Sequence, residues 1–166
     1  MQGMSIAKDA NIVGNQGGNM KPVLAIDPGK TGGLAIMDED GIVTAERMPI
    51  LGMTDIVDRL IEIKKDHKGI TCILEKTGTY VKGNSGTSAA TFARHCGNLE
   101  AALYAIGISF VQIAPSVWMR KLGTMPKLKK ARKAKIKNEM ACLYPGIKVT
   151  LNTADALGIL TTMGGK

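Results

Sequence analysis

The stretch that most limits how this chain can fold is VLAIDPGKTGGLAIM, residues 23–37. Two short apolar runs flank a segment containing Pro28, Gly29, Gly32 and Gly33. Apolar runs this brief, bounded by turn formers, are strands rather than helices. The pair therefore reads as the opening hairpin of a sheet, with an acid, Asp27, closing the first strand. The letters Gly29-Lys30-Thr31 also look like the end of a phosphate-binding P-loop. That motif requires a glycine five residues before its Gly-Lys pair, where this chain has Leu24. It further requires a helix directly after the Lys-Thr, so that the helix N-terminus faces the anion. A second apolar run stands there instead, and the spacing excludes a nucleotide cofactor at this turn.

The remaining text extends the sheet and covers it. IVTAERMPI reads as a third strand, giving a three-stranded antiparallel start. From Thr54, a candidate cap, Ile56, Val57, Leu60, Ile61 and Ile63 follow the helical period. GITCILEKTG is an almost wholly apolar strand of the kind buried on both faces, and Glu75 is its last residue before a loop rich in Gly, Ser and Thr. Ser88 or Thr87 should cap a helix running to about Ile106, with Phe92, Cys96, Leu99, Leu103 and Ile106 on one stripe and Gly107 as its stop. ISFVQIAP is a fifth strand and PSVWMRKLG a short helix. A basic helix then ends at Pro145-Gly146, and TADALGILTTM is a last helix opened by Asn152 or Thr153. The order βββαβαβ followed by helices, the last returning to the sheet, predicts an α/β three-layer fold with a mixed five-stranded sheet flanked by helices. The Gly- and Asn-rich residues 1–21 are expected to be a flexible leader, and residues 22–166 a single domain.

Composition narrows the setting. The chain is 45% hydrophobic with mean hydropathy +0.05, the balance of a soluble globular domain. No apolar run approaches the roughly 18 residues needed to cross a bilayer. The first residues lack the basic start and long apolar stretch of a secretory signal. Cys72, Cys96 and Cys142 are odd in number and lack metal-type spacing, so they are expected to be buried free thiols in a reducing cytoplasm. Charge is divided unevenly. Residues 1–75 carry 8 Lys/Arg and 11 Asp/Glu, whereas residues 76–166 carry 14 and three. Between Arg120 and Lys137 there are nine cations and no acid. Solvated helix faces normally mix signs, so a one-sided block favours contact with phosphates.

Most acids fall in turns or on helix faces, but three do not. Asp27 and Glu75 close apolar strands, and Asp155 lies in the first turn of the last helix. Each has an ordinary explanation: a turn residue before Pro-Gly, a partner for a lysine, a favourable charge at a helix N-terminus. Together, anionic oxygens from several elements are what a hard divalent cation requires.

AIDPGKTGGLAI, CILEKTG and TADALGIL, in this order and at these separations, resemble the RuvC-like Holliday-junction resolvases of the RNase H-like superfamily. The loop after Glu75, the long helix, the strand and Pro115-x-x-Trp118 are similar to the phage and plant-organelle branch. The resemblance implies a homodimeric, metal-dependent endonuclease acting on four-way DNA junctions in the cytoplasm of a bacterial or phage-infected cell. It implies that Asp27, Glu75 and Asp155 are catalytic and, with Asn152, bind Mg²⁺ or Mn²⁺, with Asp27 bridging two metals. Asn152 stands where the family commonly places a further aspartate, which leaves that ligand uncharged. The basic residues Lys76, Lys82, Arg120, Lys121, Lys127, Lys129, Lys130, Arg132, Lys133 and Lys135 would grip backbone phosphates. Tyr80 would stack on an exposed base or pack on the sheet. Trp118 reads as core, and His95 and His67 as bystanders. The long helix over residues 88–106 is a candidate dimer interface. Two alternatives remain open: a junction-binding protein without activity, and an RNase H-like nuclease with another substrate.

Overall fold

The computed structural model describes residues 20–49, 52–78 and 86–162. The leader, apart from Met20 and Lys21, together with Tyr80 and Lys82, lies outside the described residues. Five strands, β1 (Val23–Asp27), β2 (Gly33–Met37), β3 (Val43–Arg47), β4 (Thr71–Glu75) and β5 (Phe110–Ile113), form one sheet in the order β3-β2-β1-β4-β5. The β1/β2 and β2/β3 pairs are antiparallel, and the β1/β4 and β4/β5 pairs parallel. The mixed five-stranded sheet expected from the sequence is present.

Turn chemistry explains the antiparallel half. Gly29 sits at φ 112°, a conformation that side chains disfavour, and its carbonyl accepts from the Gly32 amide at 3.0 Å. The Lys30-Thr31 segment leads into a strand, not into the helix that a P-loop requires. At the next reversal, Asp38 Oδ1 accepts from the Ile42 and Asp40 amides at 2.8 and 3.0 Å, a side-chain turn that aspartate favours.

Helices cover both faces. On one face α1 (Met53–Asp66) and α2 (Gly86–Ile106) bury Ile56, Leu60, Ile63, Leu99 and Leu103 against Leu24, Ile26, Leu34, Ile36, Cys72 and Leu74. On the other, α3 (Pro115–Arg120), α4 (Lys129–Leu143) and α5 (Ala154–Leu160) bury Trp118, Ile136, Met140, Leu157 and Ile159 against Val23, Ala25, Ala35 and Ile73. Two expected helix starts move. α1 opens at Met53, with Gly52 rather than Thr54 preceding it, and α2 opens at Gly86, ahead of Thr87 and Ser88. Gly107, at φ 75°, ends α2 as expected. Cys72 and Cys96 are buried, but Cys142 is exposed, because α4 turns only Ile136 and Met140 fully inward.

α5 is the centre of the second layer. All seven of its residues are buried, and it packs on β1, β2, β4, α3 and α4. Its approach to β2 is close: a Cβ on Gly33 would lie 2.5 Å from the Asn152 carbonyl oxygen. Only glycine admits the segment that leads into α5.

Candidate active site

Strand parity brings the acids together. Side chains alternate faces along a strand. Val23 and Ala25 of β1 point toward α5, and so does Ile73 of β4. Asp27 and Glu75 share their parity and face the same layer. The parallel register pairs Ile26 with Leu74, so the next residues, Asp27 and Glu75, end level at one edge of the sheet. α5 crosses that edge and contributes Asp155 from its first turn. Asp27 and Asp155 are buried, at 8% and 7% exposure.

The electrostatics report the convergence. Burial, the charge of Glu75 and the charge of Asp155 push the Asp27 pKa up to about 8, and Asp27 lies within hydrogen-bonding reach of Glu75. Burial also raises Glu75, with the charge of Asp155 acting in the same sense and a hydrogen bond from Trp118 opposing it. Lys133 supplies the compensating charge. Its Nζ pairs with Asp155 Oδ2. Burial alone would lower the Lys133 pKa, but Asp155, Asp27 and Glu75 together outweigh burial and raise it. Asp155 Oδ1 remains buried with no hydrogen-bond partner among the described residues. Three hard oxygen donors, one orphaned anionic oxygen and a single counter-charge fit a divalent cation in donor chemistry and charge. As they stand, no three His, Cys, Asp or Glu side chains among the described residues close into a ready-made metal cluster.

The other expected residues divide. Asn152 is not committed to the carboxylates through its amide nitrogen, which donates to the Thr31 carbonyl at 3.0 Å. That bond pins the start of α5 to the β1–β2 turn and uses the nitrogen, not the amide oxygen through which a ligand role was expected. Lys133, expected on DNA phosphates, faces inward to Asp155. Lys121 Nζ donates to the Thr162 carbonyl at 3.1 Å, and Lys135 pairs with Glu139 at 3.0 Å. A half-exposed helix pair of the second kind is weak and leaves the lysine available. Arg132 donates to the Pro126 and Lys127 carbonyls at 3.3 and 3.4 Å and closes the loop before α4. With Arg120 and Lys127 it lines a hollow of about 420 Å³. Lys76, Arg120, Lys127, Lys129 and Lys130 are exposed. His95 lies on α2, in a crevice beside Gly29 and Lys30, and is not brought to the three acids. Trp118 is core, at 1% exposure, but its indole Nε1 also donates to Glu75 Oε1 at 2.9 Å. Reading the sequence missed that contact. Its one available signal was a lone tryptophan shortly after a strand that lies beside β4.

This sheet order, with helices on both faces, is an RNase H-like α/β fold. No family model matches the chain, and no curated protein matches it in sequence. Among solved structures it resembles RuvC of Thermus thermophilus in complex with a Holliday-junction substrate, at 16% identity over 87% of this chain and 97% of that one, with a TM-score of 0.55. It also resembles Thermus thermophilus RuvC solved separately, at 18% identity over 86% and 96% of the two chains, with a TM-score of 0.50. At such identities the likeness establishes the fold.

Proposed function

We propose that this protein is a structure-selective DNA endonuclease that resolves four-way junctions by metal-dependent hydrolysis of phosphodiesters. The observation that carries the reading is the meeting of Asp27, Glu75 and Asp155 at one sheet edge, where burial, and after it their mutual repulsion, raises the Asp27 pKa to about 8. A fold does not by itself imply a function, but acids placed against each other at a buried edge have a cost that a cation would offset. Asp27, Glu75 and Asp155 would hold the divalent cation, Mg²⁺ or Mn²⁺, through their carboxylate oxygens. When bound, such ions supply a hydroxide from water and stabilise the departing 3′ oxygen. Asp27 must give up its proton for this, and Lys133 must release Asp155 Oδ2 if both of that carboxylate's oxygens are to serve.

The exposed cations Arg120, Lys127, Lys129 and Lys130, with Lys76 directly after β4, offer a cationic surface to a polyanion. Branched DNA is the substrate class this supports, and Pro115-x-x-Trp118 favours the phage and plant-organelle branch. Symmetric cleavage of a four-way junction needs two active sites, hence a C2 homodimer. Leu99, Leu103 and Ile106 of α2 are spent on its own sheet, whereas Tyr104 on the same helix is 84% exposed, so the outer side of α2 would be the face offered to a second copy. Among the described residues no helix is long and apolar enough to cross a membrane.

The test is a synthetic four-way junction incubated with the protein and Mg²⁺ or Mn²⁺, beside linear duplex and an RNA–DNA hybrid. Wild type should nick the junction, and Asp27→Asn should abolish nicking while retaining junction binding. Cleavage by Asp27→Asn at the wild-type rate would refute the assignment. A second reading, junction binding without cleavage, is favoured by the Lys133–Asp155 pair, which already neutralises one acid. Wild type that binds junctions but never nicks them, with either metal, would establish it.

A further inference from the structure

Trp118 is the only tryptophan in the chain, and it touches two of the elements that carry the acids. Its Nε1 donates to Glu75 Oε1 at 2.9 Å. Its six-membered ring lies on α5 at Gly158, where an added Cβ would fall 2.7 Å from one ring carbon and 3.0 Å from a second. Gly158 is three residues beyond Asp155 on the same short helix. The indole is therefore wedged between β4 and α5, one edge on Glu75 and one face on the helix that presents Asp155.

A purely structural tryptophan needs only some acceptor for its N–H. This one takes a carboxylate of the candidate active site, although donating to an anion at a buried edge fixes more than the ring. Glu75 has three side-chain torsions, and commitment of Oε1 to a rigid buried donor fixes the plane of the carboxylate and the direction of Oε2. The donor is itself rigid: α3 is anchored by burial of the indole at 1% exposure, and its ring cannot shift toward α5 without striking Gly158.

We infer that Trp118 is a positioning residue, whose indole N–H orients the Glu75 carboxylate while its ring sets the distance between β4 and the helix carrying Asp155. This rests on the reading of the three acids as a divalent-metal site. Partners of metal-ligating side chains typically change metal affinity by about 10- to 100-fold when removed, and that is the size expected here.

The experiment measures Mn²⁺ affinity by calorimetry for wild type and Trp118→Phe, with circular dichroism and thermal melting as controls for folding. Because phenylalanine leaves a smaller ring, a second form carries benzothienylalanine at the single tryptophan position, which keeps the bicyclic shape and replaces N–H by sulfur. Both should bind Mn²⁺ roughly 10- to 100-fold more weakly than wild type while folding. In a Glu75→Ala background, which removes the acceptor, the benzothienylalanine substitution should cost nothing further, since it keeps the ring and the lost N–H acts only through Glu75. In wild type, Mn²⁺ should also change the emission of the lone indole at the same concentrations that calorimetry reports. Folded benzothienylalanine protein with wild-type Mn²⁺ affinity would overturn the positioning role and leave the metal reading intact. Wild type that binds no Mn²⁺ would remove the metal reading and this inference with it.

Discussion

Asp27→Asn probes the charge balance of the site even without DNA. Burial, Glu75 and Asp155 lift the Asp27 pKa from 3.8 to about 8, whereas the unfolded chain ionises the same group near its ordinary value. An acid with a folded pKa above its unfolded one holds its proton more tightly when folded. Its stabilising effect is complete below the unfolded pKa and is lost as pH rises through the folded one. Across that window each pH unit removes on the order of 1 kcal/mol. The window from 3.8 to about 8 spans about 4 pH units, so the ceiling is several kcal/mol. Glu75, also raised by burial, acts in the same sense. Lys133 is raised above 10.5, so its contribution is present throughout this window and is lost only as pH climbs through its folded value.

Asparagine keeps the shape of a protonated Asp27 and a donor for Glu75, but it never ionises. In EDTA, wild type and Asp27→Asn should therefore melt closest together near pH 5 and diverge as pH rises, with the variant the more stable. Allowing for relaxation of Lys133 and entry of water, we expect about 2–4 kcal/mol at pH 8, below the full linkage value. At about 2–4 °C per kcal/mol for a chain of this size, the melting temperatures should part by roughly 5–15 °C. Millimolar Mg²⁺ should reverse the order, because the ionised carboxylate is the form a cation stabilises. The assay is thermal unfolding at half-unit steps from pH 5 to 8.5. Melting temperatures that differ by a constant amount across that range would show that Asp27 holds no extra proton in the folded protein, and the proposed repulsion would be absent.

Two further variants, one double and one single, test the surroundings of the site. Replacing exposed Lys129 and Lys130 with glutamine should reduce the slope of log affinity for junction DNA against log salt by about 2, and an unchanged slope would remove the start of α4 from the interface. Gly33→Ala would set a Cβ 2.5 Å from the Asn152 carbonyl and 2.8 Å from that of Glu46. Both neighbours are backbone, so urea unfolding should show a loss of about 2 kcal/mol or more, and a loss below about 0.5 kcal/mol would mean that β2 and the α5 entry part easily.

Strand ends were the legible part of this chain. VLAID and ITCILE announce short strands, and their terminal acids stand at odd positions with Val23, Ala25 and Ile73, so parity alone sends them to one face. α5 was equally legible, since a short apolar helix with one acid in its first turn belongs over a sheet. What could not be read depended on how helices rotate against that sheet. α4 buries only Ile136 and Met140 and carries cations around most of its circumference, so its periodicity does not single out Lys133 as the lysine that turns inward. The same weak periodicity hid the exposure of Cys142. Trp118 was read as core because an indole is large and apolar, and its one polar atom carries no sequence signal of its partner. Asn152 was read through a family pattern, but the structure gives its amide nitrogen to the Thr31 carbonyl.

Lys133 and Trp118 both come from the segment between β5 and α5, which also holds the one-sided basic block. The two roles share one physical origin. Three acids at a buried edge generate a negative field, and a cationic segment laid across that edge is held there by the field. One of its lysines turns inward to Asp155, while Arg120, Lys127, Lys129 and Lys130 stay in solvent. Outward, those cations would meet the proposed polyanion; inward, Lys133 balances the acids. A divalent cation among the carboxylates would repel the Lys133 ammonium, and a nearby phosphate would attract it. On the proposed function, ligands on the two sides of α4 would act on the same side chain in the same direction, and occupancy of the site would be coupled to DNA through a single helix.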